Sequence, residues 1–84
     1  MAKQSIQHDA EFCARQRALT NAISKKIAKR IEHELLERDM THKDFAAYIN
    51  HSQGVVSRWL NGKHNFTLST LAMISLTLDI DLFE

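Results

Sequence analysis

The sequence predicts an all-α fold, and three observations lead to that prediction. The chain of 84 residues contains no proline and only two glycines, too few turn residues for the many chain reversals of a β-sandwich or barrel. Apolar residues recur at steps of three and four, the period of an amphipathic helix. Signals for further helix starts follow at short intervals. The length corresponds to one small domain with a modest core.

The first predicted helix extends from about residue 9 to residue 39. Its apolar stripe consists of Phe12, Leu19, Ile23, Ile27, Ile31 and Leu35. Thr20 and Asn21 disfavour helix interiors, so a break in this helix would fall between them. The basic residues of this helix lie mostly off the stripe, and we interpret them as a solvated face; they include Lys25, Lys26, Lys29 and Arg30.

Three shorter helices are predicted from hydroxyl residues at their starts. Thr41 precedes Asp44 by three positions, which is a variant of the capping box. Ser52 is the expected N-cap of the next helix, and Thr67 that of the last one. The last helix, which begins at Leu68, is apolar nearly all round, and such a helix is buried on more than one side.

The segment 41–62, THKDFAAYINHSQGVVSRWLNG, predicts two short helices joined by a tight turn. Asn50–His51 and Asn61–Gly62 are the expected turns, because Asn and Gly tolerate the left-handed conformation. Small Ala46 permits the two helices to cross closely. The side chains spaced to point into one shared core are Phe45, Ile49, Val56 and Trp59. This is the pattern of a helix-turn-helix.

The opposite face of the second helix is polar and carries no acidic residue. Its side chains include types that read base edges, since Gln suits adenine, Arg suits guanine and Ser is adaptable. The predicted base-reading residues are Gln53, Gly54, Ser57 and Arg58. A glycine in this helix fits close approach to DNA, but its place in the first turn also keeps its conformational cost small. The sequence leaves both explanations of Gly54 open.

Segment 41–62 resembles the helix-turn-helix of the Xre/Cro–cI repressor family, and 22–80 resembles the whole small helical domain of that family. The matching residues are Phe45, Ala46, Ile49, Ser52, Val56, Ser57 and Trp59. The phrase VSRWLNGKHNFT at 56–67 is similar to antitoxin-like (HigA-like) regulators, which often carry an N-terminal helical extension. The resemblance implies an N-terminal helical extension over 1–20 and a five-helix, lambda-repressor-like, helix-turn-helix DNA-binding domain over 21–84. The chain departs from the family at Asn50, where glycine is frequent, and at Glu32 and Leu36, where many members carry arginine.

The same resemblance implies contacts with DNA phosphates at two kinds of position. Helix N-termini offer backbone N–H groups and short polar side chains, and the residues concerned are Thr41, His42 and Ser52. The loop after the second helix follows the DNA backbone, and its residues are Asn61, Lys63 and Asn65.

The formal net charge of +1 gives weak support to a nucleic-acid partner, but the segment 42–67 is mildly basic. Its charged residues are Lys43, Arg58, Lys63 and Asp44. Neither the five histidines nor Cys13 shows the spacing of a metal site, and no nucleophile–base pair or nucleotide-binding loop is recognisable. We therefore expect no cofactor, no metal and no enzyme activity. No apolar run resembles a membrane span or signal peptide, so the expected location is cytoplasmic.

These observations predict a transcriptional repressor that binds double-stranded operator DNA as a homodimer. The alternative is an antitoxin that neutralises a partner toxin by direct contact and represses its own operon. Surplus apolar residues near the C-terminal end predict the dimer interface, and these are Met73, Leu76, Ile80, Leu82 and Phe83. The rival interface is the N-terminal extension, through Ile6 and Phe12.

Overall fold

The structure is a computed structural model that describes residues 9–83, so Ile6 lies outside the described residues. It contains four helices and, over those residues, no strand: α1 Ala10–Glu37, α2 His42–Tyr48, α3 Gln53–Trp59 and α4 Leu68–Leu78. The all-α prediction is confirmed.

The predicted count of five helices is wrong for the part of the chain described. Helix α1 continues through Thr20 without a break, and the Thr20 hydroxyl donates to the Gln16 carbonyl of the preceding turn at 2.8 Å. After α4, Asp79 adopts a left-handed conformation with φ 53° that ends the helix, and residues 80–83 form no further helical turn. The division at 20/21 therefore falls inside one helix, and it stays a prediction.

The predicted N-caps of the three shorter helices are confirmed. Thr41 Oγ1 accepts from the Asp44 N–H at 3.0 Å, while the Asp44 carboxylate accepts from the Thr41 N–H at 2.9 Å. This reciprocal pair completes the capping box of α2. Ser52 and Thr67 cap α3 and α4 in the simpler way, through one hydroxyl oxygen each.

The core lies among the C-terminal half of α1, the three shorter helices and the segment that follows α4. Its buried hydrophobic residues are Ile31, Leu35, Phe45, Ala46, Val56, Trp59, Leu71, Ile74, Leu78 and Leu82. The N-terminal half of α1 extends beyond this core, and there Leu19 and Ile23 are 63% and 50% exposed. The described residues thus cover the apolar stripe of α1 over only half of its length.

Hydrogen bonds of Arg38 connect the end of α1 with the end of α4. Its Nε donates to the Glu34 carboxylate at 2.9 Å, and its Nη2 donates to the Leu78 carbonyl at 2.6 Å. The second bond satisfies a carbonyl that the last turn of α4 leaves free. Hydrogen bonds from Arg38 and then from Arg30 lower the pKa of Glu34.

Candidate nucleic-acid interface

Helices α2 and α3 are joined by a turn that the backbone itself stabilises. Asn50 has φ 60°, the left-handed conformation expected at this position. The next residue, His51, donates its N–H to the Ala46 carbonyl at 2.8 Å and so closes the end of α2. The turn therefore forms with Asn in a position where glycine is frequent in the family that the sequence resembles.

The inner faces of the two helices pack as predicted. Phe45 and Val56 are completely buried, Trp59 is 5% exposed and Ala46 is 3% exposed. The Trp59 ring also contacts the His51 ring at a centroid distance of 5.4 Å. Because Val56 and Trp59 on the inner face of α3 are buried, the polar face on the other side of that helix points away from the core.

That polar face brings all four predicted base-reading residues together on the surface. Gln53, Gly54, Ser57 and Arg58 are exposed. Within residues 9–83, no carboxylate lies within salt-bridge distance of the Arg58 guanidinium. The charge of Arg58 is thus available to an external anion.

Within residues 9–83, packing does not require a glycine at position 54. A Cβ placed on Gly54 meets only the Ser52 Oγ, at 3.9 Å, which is an ordinary van der Waals distance. The space above α3 at this position is open to solvent, as a surface that approaches another molecule closely needs to be.

The predicted phosphate-contact residues at the start of α2 differ in their surroundings. Thr41 is exposed and acts as the cap of α2. His42 has its Nε2 at 2.9 and 3.0 Å from the two carboxylate oxygens of Glu32 on α1. Sequence reasoning singled out Glu32 as a departure from the family but missed this pair, which joins residues ten positions apart. A carboxylate therefore lies at one of the sites where a phosphate is expected.

The other predicted phosphate-contact residues, Ser52 at the start of α3 and Asn61, Lys63 and Asn65 in the loop after it, are exposed. The Asn61 side-chain oxygen accepts from the Lys63 N–H at 2.7 Å, which fixes the start of the loop. Gly62 between them is buried and has φ 82°, as its predicted turn position requires.

A further basic residue adjoins this loop, and sequence reasoning assigned it to a solvated face. The side chain of Lys25 on α1 crosses Gly62: its Cβ, Cγ and Cε lie 3.8–4.0 Å from the position of a Cβ on that glycine. The contact depends on how α1 crosses the α3–α4 loop, so no spacing in the sequence indicates it.

The predicted dimer residues fall into two groups. Leu82 is 8% exposed and belongs to the core of its own chain, while Met73 and Ile80 are partly buried against that core. Leu76 and Phe83 are 83% and 61% exposed. Only these last two present most of their apolar surface outward.

Two short helices crossing at a tight turn, with a buried inner face and an exposed polar outer face, define a helix-turn-helix protein. A family model described as helix-turn-helix matches residues 31–84, more than half of the chain. The chain belongs to this Xre-like helix-turn-helix family and is a DNA-binding transcription regulator. No curated protein and no solved structure matches the chain significantly. No helix within residues 9–83 is long and apolar enough to cross a membrane.

Proposed function

We propose that the protein is a repressor that binds operator DNA as a homodimer and blocks transcription by occupying the site. The observation that carries this proposal is the outer face of α3, where the side chains of Gln53, Ser57 and Arg58 are exposed next to Gly54. None of these side chains contributes to the core, and their chemistry is that of base-edge recognition in the major groove.

Base reading and backbone contact are assigned to different residues. Gln53, Gly54, Ser57 and Arg58 face the base edges. The residues around the N-termini of α2 and α3 and in the loop after α3 contact phosphates and set the register of the protein on the duplex; they are Thr41, His42, Ser52, Asn61, Lys63 and Asn65.

The experiment that tests this division compares Arg58→Ala with Lys63→Ala on a panel of operator variants selected by the wild-type protein. Arg58→Ala is expected to lower the affinity for the best operator by about 1–3 kcal/mol and to relax the preference at one base pair. Lys63→Ala is expected to weaken all sequences alike and to reduce the slope of log K against log salt by about one unit. Equal behaviour of the two variants over the panel would contradict the assignment.

A homodimer is proposed because one recognition helix reads only a few base pairs and the chain carries few cations, so a monomer binds weakly at physiological salt. Two copies place their recognition helices about 34 Å apart on one face of the duplex. Leu76 and Phe83 supply exposed apolar surface for the contact between copies, with Met73, Ile80 and Leu82 supporting it from beneath. Leu76→Ser is therefore expected to yield a monomer in sedimentation measurements.

The rival interface uses the N-terminal half of α1, and a double variant separates the two. Leu19→Ser combined with Ile23→Ser removes the exposed apolar surface of α1 but leaves α4 unchanged. If the Leu76→Ser protein is still a dimer and the α1 double variant is a monomer, the dimer interface lies on α1 and not at the C-terminal end. If the wild-type protein is a monomer at micromolar concentration, the proposed homodimer is wrong.

A second candidate function is that of an antitoxin, and the exposed face of α1 favours it. Leu19 and Ile23 lie on a helix that extends beyond the core, where a partner protein can cover them. The test is co-expression with the product of a neighbouring reading frame. Relief of growth arrest by the wild-type chain, but not by the Leu19→Ser, Ile23→Ser variant, supports this function.

A further inference from the structure

Positive charge is unevenly divided along the chain. The family-matched segment 31–84 has four basic and eight acidic residues, a net charge of −4, whereas the segment 1–30 has seven basic and two acidic residues, a net charge of +5. The stretch 42–67, which carries the expected DNA contacts, has only three basic residues against one acidic residue. Cations from outside the family-matched segment therefore add to its weak attraction for a polyanion.

One face of α1 connects the two places where phosphates are expected. Lys25 lies against Gly62 in the loop after α3, and Glu32 pairs with His42 at the start of α2. The helical repeat puts residues 25 and 32 about 20° apart around the axis and about 10 Å apart along it. Lys29 lies between them on the same side.

The contact with Gly62 places the Lys25 side chain against the α3–α4 loop. Its aliphatic stem covers Gly62, which is buried, while Lys25 as a whole is exposed, so its ammonium is accessible to a ligand beside the loop. Lys63 follows in the same loop and is exposed. Two cations thus flank the backbone of the α3–α4 loop, one from the loop itself and one from α1.

We propose that Lys25 is a DNA-phosphate contact, and that the face of α1 carrying Lys25 and Lys29 extends the nucleic-acid interface beyond the helix-turn-helix. This inference depends on the proposed DNA binding and adds to it a binding residue outside the family-matched segment. The contact is electrostatic, so it strengthens binding to all sequences equally.

Lys26 provides a matched control on the same helix. It is the neighbour of Lys25 and is also exposed, but it lies about 100° further round the helix. It lines a surface depression with Arg30, Asp81 and Leu82, away from the α3–α4 loop. Lys25→Gln and Lys26→Gln therefore make the same change in total charge at two different faces.

The experiment measures the affinity of wild type, Lys25→Gln, Lys26→Gln and Lys25→Arg for a selected operator and for random duplex over a range of salt. Lys25→Gln is expected to reduce the slope of log K against log salt by about one unit and to weaken both duplexes roughly fivefold at physiological salt. Lys26→Gln is expected to keep the wild-type slope, and Lys25→Arg to restore it. Circular dichroism and thermal unfolding verify that each variant is folded.

Two outcomes overturn the inference while the proposed function stands. In one, wild type binds with a steep salt dependence and Lys25→Gln binds identically. In the other, Lys25→Gln and Lys26→Gln lose affinity equally, which shows an effect of total charge. A wild-type protein that binds no duplex refutes the proposed function itself.

Discussion

The Nε2 atom of His42 lies 2.9 and 3.0 Å from the two carboxylate oxygens of Glu32. His42 is the first residue of α2, where the helix dipole and free N–H groups favour an anion. Glu32 places a carboxylate beside that site. A phosphate bound at the start of α2 is therefore opposed by this carboxylate.

Glu32→Gln is expected to raise DNA affinity roughly two- to fivefold at low salt, because it removes one like charge near the phosphate. Glu37→Gln, a change at an exposed residue about 140° further round α1, serves as the control for total charge. Fluorescence anisotropy with a labelled operator gives both affinities. Equal gains in the two variants would show that the position of Glu32 has no special effect.

Gly54→Ala is expected to change stability and binding in opposite directions. The free energy of unfolding rises, by up to about 1 kcal/mol, because alanine favours a helix more than glycine does and the added methyl group fits the free space. DNA affinity falls, because the methyl group occupies the surface that approaches the base edges. Urea denaturation and operator binding measure the two effects. A more stable variant with unchanged affinity would show that the glycine is not there for DNA.

Trp59→Ala is expected to lower the free energy of unfolding by about 3–5 kcal/mol, since a large side chain that is 5% exposed leaves a cavity in a small core. Such a loss is comparable to the whole stability of a small domain, so DNA binding disappears together with the fold. Arg58→Ala changes the exposed residue that directly precedes Trp59, and it serves as the control for stability. Its urea midpoint stays near that of wild type, whereas an unshifted midpoint for Trp59→Ala would contradict the buried position.

The Asp44 carboxyl makes the stability of the fold depend on pH at the start of α2. The backbone N–H of Thr41 and then its side chain hold the pKa of the Asp44 carboxyl below its ordinary value. A group whose pKa is lower in the folded state stabilises the fold fully above the unfolded-state pKa, and this stabilisation is lost as the pH falls through the folded-state pKa.

Asp44→Asn is therefore expected to flatten the decline of stability below about pH 4. Urea midpoints at several pH values between neutral and acid conditions measure the effect. The variant keeps some acid sensitivity, because the pKa of Glu34 is also lowered in the folded protein. A decline of the same steepness in Asp44→Asn and wild type would show that the capping box does not contribute.

Local chemistry made much of this fold predictable. A hydroxyl three residues before the N–H that it caps marks a helix start, so Thr41, Ser52 and Thr67 were identifiable from the sequence. Asn50 and Gly62 were identifiable as turn residues for the same reason, since few residues tolerate a positive φ. The residues of the exposed α3 face followed from the helical repeat once Val56 and Trp59 were assigned to the core.

Features that depend on how the helices cross were not predictable. The period of an apolar stripe shows which side of a helix is apolar but not how much of it is covered, so the exposure of Leu19 and Ile23 needed the structure. The burial of Leu82 depends on the path of the chain after α4. The proximity of Lys25 to Gly62 likewise arises only when α1 crosses the α3–α4 loop.

The two faces of α3 also meet two different requirements, folding on the inner face and recognition on the outer face. Val56 and Trp59 maintain the fold, while Gln53, Ser57 and Arg58 make no contribution to the core. Substitution at the outer positions can therefore alter the preferred operator at little cost in folding stability. This arrangement lets duplicated copies of the gene diverge in target site without passing through unfolded intermediates, and it makes the outer face of α3 the natural place to randomise when a new operator is sought.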